Sequence, residues 1–263
     1  MDPGKGKKKT GRIWTYVRDG KPHGDSSPRG ACYFYSPDRK GIHPEEYLKN
    51  YTGIMHADAY SGYNQLYIGS KNKEATVTEV GCWAHTRRKF YEVTVASDNA
   101  TIAIQTIEQI EKIYKIEKEI RGSPPKDRYK TRQEKTKPLV TALFAFWKKS
   151  YSQLPKKSRT GSAIQYAFNI EDALKRFLDD GKIEIDNNAA ERALRTIAVG
   201  RKNWTFAGSD KGGENSAIIY TIIETAKLNN VNPWKYLQKV LTIIQDYNSN
   251  KIEDLLPWNL TLP

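Results

Sequence analysis

The sequence predicts a mixed α/β protein whose strands lie in its first third and whose middle part is helical. From Arg12 to Val17 the side chains alternate with the two-residue period of a strand. From Ala100 to Ile120, isoleucine recurs every three or four positions, which is the spacing of an amphipathic helix. The 263 residues suffice for one large domain, or for one domain that carries a helical insertion.

The first two predicted strands form a hairpin. Arg12 to Val17 is followed by Gly20 to Gly30, a stretch rich in Gly, Pro and Ser that is typical of a loop. Ala31 to Tyr35, which is rich in aromatic residues, then predicts the second strand.

A short helix and two further strands complete the first third. Pro44 opens a helix that runs through Tyr51, because proline is tolerated at a first helical position and the acids after it suit the helix dipole. Gly53 ends this helix. The apolar stretches Ile54 to Ala59 and Thr76 to Cys82 predict buried strands.

Helices dominate the remaining two thirds. Gly122 and the prolines after it end the helix of Ala100 to Ile120. A second helix carries Leu139, Leu143, Phe146 and Trp147 on one face. The other predicted helices cover Ile170 to Leu178, Asn188 to about Ala198, Glu214 to Leu228 and Pro233 to Tyr247.

These elements divide the chain into five segments. They are a flexible basic leader (1–10), the first part of a core (11–96), a helical insertion (97–181), a core segment with the helix that carries Glu191 (182–212) and a C-terminal helical segment (213–263).

Charge and composition restrict the partners. The formal charge of +13 attracts polyanions, which favours nucleic acid over an anionic membrane surface. No apolar run approaches the roughly 18 to 20 residues that span a bilayer, and the first residues lack the apolar core of a secretion signal. We therefore expect a cytoplasmic protein without a membrane partner. Its two cysteines are too few for a disulfide framework and are expected to be buried free thiols.

Three stretches resemble one family of DNA transposases, the insertion sequence 66 family. They read GIMHADAYSGY at residues 53–63, CWAHTRRKF at 82–90 and IDNNAAER at 185–192. The resemblance continues, in the family's order, through GRKNW at 200–204, FAGS at 206–209 and LLPWN at 255–259.

The resemblance implies an RNase H-like fold, a mixed sheet flanked by helices with a helical insertion. In such transposases two aspartates and a glutamate hold two Mg²⁺ (or Mn²⁺) ions for DNA strand cleavage and transfer. By the family's motifs Asp58 is the second acid and Glu191 the third. Hard divalent cations prefer carboxylate oxygens, and a pair of them stabilises an in-line displacement at phosphorus. The implied partners are insertion-sequence ends, target DNA, and a second copy or an intact transposase.

The family's first acid has no match in this sequence. In the family it lies on a first strand upstream of a Pro-Gly-Lys-rich linker, to which Met1 to Thr10 corresponds, and Asp2 and Asp19 lie in the wrong kind of segment to replace it. We therefore expect a truncated copy without its first strand, with turnover below detection and unpaired groups on neighbouring strands. Alternatives are a non-catalytic remnant that binds DNA or pairs with transposase, and a metal-dependent nuclease that uses Asp58, Glu191 and another acid such as Asp186.

Each acid also has a structural interpretation. Asp58 suits a strand cap or a turn. Glu191 follows Asn188 by three residues, which is the spacing of a capping box, and precedes Arg195 by four, which is the spacing of a helix salt bridge.

Cys82 and His85 have the spacing of half a zinc site, but no second pair accompanies them, so we expect them to pack rather than to bind metal.

Two basic clusters are candidates for contact with DNA. Arg87, Arg88 and Lys89 suit phosphate contacts, with a solvated helix face as the alternative. The second cluster suits backbone contacts and stacking on an unpaired base, although its tryptophan fits a core equally well. Its members are Arg192, Arg195, Arg201, Lys202 and Trp204.

Overall fold

Four short strands precede a run of helices in the residues that this computed structural model describes, 9–69, 75–97, 100–155 and 157–262. The strands are β1 (Arg12–Arg18), β2 (Gly30–Ser36), β3 (Gly53–Ala57) and β4 (Val77–Gly81). The helices are α1 (Ile42–Tyr47), α2 (Asn64–Ile68), α3 (Trp83–Val95), α4 (Thr101–Glu119), α5 (Pro125–Thr131), α6 (Lys137–Tyr151), α7 (Arg159–Asn169), α8 (Glu171–Lys175), α9 (Asn188–Trp204), α10 (Asp210–Leu228) and α11 (Pro233–Ile243). Of the predicted leader, residues 1–8 lie outside the described residues.

The strands form two separate sheets of two strands each. β1 and β2 pair antiparallel, with Arg12 opposite Ser36 and Arg18 opposite Gly30, which confirms the predicted hairpin. β3 and β4 pair parallel, from Gly53 opposite Val77 to Ala57 opposite Gly81. The mixed α/β class is thereby confirmed, whereas the RNase H-like arrangement stays a prediction.

The chain folds into two compact units. The hairpin unit consists of the described parts of Met1–Asp19, Ser26–Tyr47 and Ala189–Pro263, and so contains β1, β2, α1 and α9 to α11. The helical unit consists of Gly20–Asp25 and Leu48–Asn188, and so contains β3, β4 and α2 to α8.

In the hairpin unit, α10 covers the edge of β2 that β1 leaves open. Three polar side chains, spaced four residues apart on α10 and at the residue that caps its end, accept hydrogen bonds from alternate backbone N–H groups of the hairpin. Thr221 accepts from Tyr33 at 2.9 Å, Thr225 from Ala31 at 3.1 Å and Asn229 from Arg29 at 3.0 Å. This polar ladder satisfies donors that would otherwise form an exposed sheet edge.

The ring of Tyr35 fits only because two glycines lie against its Cδ2–Cε2 edge. A Cβ atom on Gly213 of α10 would lie 2.4 Å from the Tyr35 Cδ2 atom, and one on Gly11 would lie 2.3 Å from Cε2. The Tyr35 hydroxyl donates a hydrogen bond to Asp210 at the start of α10. Both glycines are therefore required by packing.

Aromatic side chains fill the core of the helical unit. Trp83 on α3 and Trp147 on α6 are fully buried, and Phe90 stacks on Trp147 with ring centroids 5.3 Å apart. Trp83 donates its indole N–H to the carbonyl oxygen of Leu174 at 2.8 Å, so its polar group is satisfied.

A buried ionic network joins α4 and α5 to the end of the helical unit. The Arg132 guanidinium donates to both carboxylate oxygens of Glu117, at 2.9 and 2.7 Å, and to the carbonyl oxygens of Phe177 and Asp180. Arg128, also fully buried, donates to Glu184. Buried charges are tolerated when ion pairs and hydrogen bonds compensate them in this way, although the Nε atom of Arg128 has no hydrogen-bond partner among the described residues.

Several predicted elements differ from the structure. The first helix ends at Tyr47 rather than Tyr51, and the last covers Pro233–Ile243 before a 3₁₀ turn at Ile244–Asp246. The predicted helix of 170–178 is α8 followed by another 3₁₀ turn, Arg176–Leu178. α9 extends to Trp204 rather than ending near Ala198, and in this extension Gly200 packs against Tyr220.

Three burial predictions were wrong. The first residues of β3 are exposed, with Ile54 42% accessible, because this sheet has only two strands. Cys32 is exposed rather than buried, because it faces away from the side of β2 that contacts α9 and α10. On α6, Val140 and Phe144 are buried with Leu143 and Trp147, whereas Leu139 and Phe146 are only partly buried.

Candidate functional site

Asp58 lies directly after the end of β3. Its neighbour Ala57 is buried, but Asp58 itself is exposed. The prediction of a buried strand that extends through Asp58 to Ala59 was therefore wrong at these positions. Ala59 then adopts a φ of 60°, a left-handed conformation that turns the chain sharply after the acid. Among the described residues the Asp58 carboxylate accepts no hydrogen bond, so turn capping does not occupy it.

Tyr166 lies near Asp58, and Lys89 lies near Tyr166. Burial, followed by the nearby Cys82, Asp58 and Glu79, raises the pKa of Tyr166 to about 12. Lys89 on α3 places its Nζ atom 5.8 Å from the centre of the Tyr166 ring. Tyr166 therefore stays a neutral phenol at neutral pH, with Asp58 and Lys89 as neighbours.

The residues that follow β4 are buried. Cys82 is almost inaccessible, and burial, as the largest effect, raises the pKa of its thiol to about 11. His56 shares a hydrogen bond of 2.7 Å with the carbonyl oxygen of Gly81, and burial lowers the pKa of this histidine. In the part of the chain that the structure describes, no group of three or more His, Cys, Asp or Glu side chains is arranged to hold a metal ion.

Asp186 is a buried carboxylate that sequence reasoning considered only as an alternative acid. It is 7% exposed and precedes α9 by two residues. One of its oxygens accepts the Tyr114 hydroxyl at 3.0 Å, and the other accepts the backbone N–H of Asn188 at 3.1 Å. The sequence signal for this contact was only the Asp-Asn-Asn run, because Tyr114 lies 72 residues away.

Glu191 lies in the first turn of α9 and is partly exposed. The buried side of this helix carries Ala193 and Ile197. Glu191, Arg195 and Lys202 are spaced by four and seven residues, so they share the opposite face of the helix. The acid therefore lies on an exposed, basic helix face.

The rest of the second basic cluster is also accessible. Arg192 and Arg201 are exposed, and Trp204 is 40% exposed at the last residue of α9, so a core position for this tryptophan was not found. Its indole nitrogen would lie 2.9 Å from a Cβ atom on Gly200, so the ring packs against that glycine.

In the first cluster, on α3, Arg87 forms an exposed ion pair of 2.8 Å with Glu111. Arg88 and Lys89 are exposed beside it. An exposed pair of this kind contributes little stability, so Arg87 stays available to a stronger anion.

The candidate residues are divided between the two units. The helical unit holds Asp58, Arg87, Arg88 and Lys89. The hairpin unit holds Glu191, Arg192, Arg195, Arg201, Lys202 and Trp204.

None of the helices in the described residues combines the length and the apolar character that a bilayer-crossing helix requires.

Comparison with known proteins gives matches along almost the whole chain. The family model described as "Transposase IS66 family" matches residues 1–215, and that described as "IS66 C-terminal element" matches residues 221–258. No solved structure matches the chain.

Similar curated proteins include two from Sinorhizobium fredii. The uncharacterized protein y4hP is 38% identical over 260 residues, which are 95% of this chain and 47% of that protein. The uncharacterized protein y4qI is 38% identical over 262 residues, 98% of this chain and 48% of that protein. The chain thus spans about half the length of these relatives.

Proposed function

Because the chain belongs to the IS66 transposase family, we propose that it is the catalytic part of a DNA transposase, which cleaves strands at insertion-sequence ends and transfers them to target DNA. The observation that carries this proposal is the match to both family models, over residues 1–215 and 221–258. Such a protein acts where the DNA lies, in the cytoplasm of a bacterial cell.

We assign the carboxylates of Asp58 and Glu191 to the binding of Mg²⁺ or Mn²⁺. Both are hard oxygen donors, and both side chains are at least partly accessible. Mg²⁺ is often held by only one or two carboxylates together with substrate phosphates, so each of these acids fits its chemistry without a larger protein cluster. A bound ion would supply Lewis-acid stabilisation of the charge that develops on phosphate oxygens.

We assign the first contacts with DNA phosphates to the exposed basic side chains of α9 and α3. Arg195 and Lys202 lie on the same helix face as Glu191, so phosphates held there lie next to the acid. Arg88 and Lys89 provide a similar exposed group on α3. The net charge of +13 strengthens association with any polyanion, so salt dependence is the appropriate test.

Metal binding tests the assignment of the acids. Titration calorimetry with Mn²⁺ should show weaker binding in Asp58→Asn and in Glu191→Gln, and unchanged binding in the matched control Glu108→Gln, which removes an exposed acid from α4. If the two site variants bind Mn²⁺ as the parent does, the assignment is wrong.

DNA binding tests the basic face. Replacing Arg195 or Lys202 by Gln should reduce the slope of log K against log salt concentration by about 0.9 for each phosphate that the variant no longer neutralises. The control Lys118→Gln removes an exposed lysine from α4 and should leave the slope close to that of the parent after correction for net charge. An equal change in all three variants would show that only overall charge matters.

A second candidate function is DNA binding or pairing with an intact transposase, without catalysis. It is favoured by the exposed basic side chains on α3 and α9, which suit contacts with phosphates that need no metal ion. Labelled insertion-sequence ends incubated with Mn²⁺ separate the two functions. Nicking or joining that Asp58→Asn abolishes supports catalysis, whereas tight, salt-sensitive binding without any strand cleavage supports the second candidate.

A further inference from the structure

The residues that lead into α9 are held at several successive points by the helices before them. We call residues 177–188, which run from the end of the 3₁₀ turn Arg176–Leu178 to the first residue of α9, the approach segment. The approach segment and the helices that hold it all belong to the helical unit.

The first part of the approach segment is fixed through its backbone. Arg132 donates to the carbonyl oxygens of Phe177 and Asp180, at 2.7 and 3.0 Å, and Gln133 donates to that of Leu178 at 2.7 Å. These donors belong to the π turn Arg132–Thr136 between α5 and α6.

The second part is fixed through side chains and one backbone contact. Glu184 accepts from Arg121 at 2.8 Å and also from Arg128. The carbonyl oxygen of Ile185 accepts the backbone N–H of Trp83 at 3.2 Å. The segment therefore has little freedom by the time it reaches Asp186.

Asp186 makes the last of these contacts, and both its oxygens are used. Burying a carboxylate is costly unless hydrogen bonds compensate it. The Tyr114 hydroxyl on α4 donates to Oδ2, and the backbone N–H of Asn188 donates to Oδ1. Asp186 thus connects a rigid helix of the core to the residue at which α9 begins.

Tyr114 keeps its proton under all physiological conditions. Burial and the adjacent Asp186 charge raise the pKa of this tyrosine far above its usual value. The hydroxyl is therefore a permanent donor, and the contact does not depend on pH near neutrality.

We infer that Tyr114 and Asp186 form a positioning pair for Glu191. Glu191 lies three residues after Asn188, within the first turn of α9, so the backbone that Asp186 fixes determines where α9 begins and how its first turn, which carries Glu191, is held. This inference rests on the proposed role of Glu191 in metal binding. The helical insertion contributes to this positioning, because its helix α4 supplies Tyr114.

Hydrogen–deuterium exchange tests whether the pair fixes the start of α9. In Tyr114→Phe, peptides covering residues 186–196 should exchange several-fold faster than in the parent. Tyr151→Phe is the matched control, because it removes a hydroxyl that donates to Gln165 at 2.8 Å, elsewhere in the same unit. Unchanged exchange at residues 186–196 in Tyr114→Phe would overturn the inference.

Mn²⁺ affinity tests whether the effect reaches Glu191. Tyr114→Phe should weaken Mn²⁺ binding by about tenfold, the lower end of what loss of an outer-shell partner costs. In a Glu191→Gln background, the same change should have no further effect. An equal loss in both backgrounds would mean that the pair is merely structural and would overturn the inference.

The aspartate is tested by graded replacement. Asp186→Asn keeps an oxygen that can accept from Asn188 and should lose less Mn²⁺ affinity than Asp186→Ala. If the two variants lose equally, the cap on Asn188 is not what positions Glu191. If the parent binds no Mn²⁺ while Tyr114→Phe still accelerates exchange, the proposed metal function fails and the fixed start of α9 stands.

Discussion

The hydroxyl of Thr225 both accepts the backbone N–H of Ala31 and donates to the carbonyl oxygen of the same residue, each over 3.1 Å. One side chain of α10 thus satisfies both hydrogen-bonding groups of a residue in β2, as a neighbouring strand would. Asn229 does the same for Arg29, accepting from its N–H and donating to its carbonyl oxygen at 2.7 Å.

Replacing Thr225 by Val should therefore destabilise the protein by about 1 to 3 kcal/mol, since it keeps the shape but leaves a partly buried N–H and C=O without partners. Urea unfolding measures the change. Thr242→Val removes an exposed hydroxyl that donates only to the preceding helical turn, at Gln238, and should cost much less. Equal losses would mean that the contact with Ala31 contributes nothing beyond local helix effects.

Gly213→Ala should also destabilise the protein, although alanine is the better helix former. The added methyl group would meet the Tyr35 ring at 2.4 Å, and the same ring is also close to Gly11, where a Cβ atom would lie 2.3 Å from it. We expect a loss of about 1 to 3 kcal/mol in thermal or urea unfolding. At Gly30 an added Cβ atom meets nothing within 4 Å, so Gly30→Ala should be almost neutral.

Arg132→Met should cost about 3 to 5 kcal/mol, because it leaves the buried Glu117 carboxylate without its main partner. Adding Glu117→Leu should recover part of this loss, but not all, since the carbonyl oxygens of Phe177 and Asp180 still lack their donor. Arg87→Met, which breaks the exposed pair with Glu111, should cost no more than about 1 kcal/mol. A double variant less stable than Arg132→Met would contradict the ionic interpretation.

The thiol of Cys82 should make stability depend on pH in the alkaline range. Its pKa is raised from 9.0 to about 11 by burial, so the unfolded state loses the proton first. Stability is therefore complete below pH 9 and declines as pH rises toward 11, by up to about 1.4 kcal/mol per pH unit. Subtracting the free energy of unfolding of Cys82→Ala from that of the parent, at each pH, separates the contribution of this thiol from those of other groups. Cys32→Ser should retain it, and a slope that persists in Cys82→Ala would assign it elsewhere.

Periodicity predicted the elements that bury large apolar side chains. Ile110 and Ile113 are fully buried on α4, as their spacing indicated. Ile104 is nevertheless 48% exposed, because the buried face at that end of α4 is formed by Ala103 and Thr106. A stripe of isoleucines thus located the helix but not its exact orientation.

Among the helices that escaped prediction, α5 and α7 did so because their buried faces are not conspicuously apolar. α7 buries Gly161, Ala163, Ile164 and Ala167, a largely small-residue face within a polar stretch. α5 buries Arg128, which sequence patterns assign to solvent. Its tertiary partners Glu184, Glu117 and the carbonyl oxygen of Pro22 make that burial possible, and no local pattern reveals them.

Motifs identified the candidate acids, whereas only the structure shows which elements and residues surround them. Asp58 and Glu191 were assigned by resemblance, and the structure adds that the first follows β3 and the second opens an exposed face of α9. The contact between Tyr114 and Asp186 joins residues 72 positions apart and has no periodic signal. Such pairs depend on how helices pack, which a single sequence does not specify.

The polar ladder between α10 and β2 can contain only a few rungs, because helix and strand advance by different distances. Four residues of helix advance roughly 6 Å, whereas two residues of strand advance roughly 6.7 Å, so each successive rung accumulates about 0.7 Å of mismatch. Three rungs tolerate this drift, but a fourth would lie about 2 Å out of register, beyond hydrogen-bonding range. The three rungs cover residues 29–33, and these five residues are therefore close to the longest stretch of strand that a straight helix can serve as a surrogate neighbour.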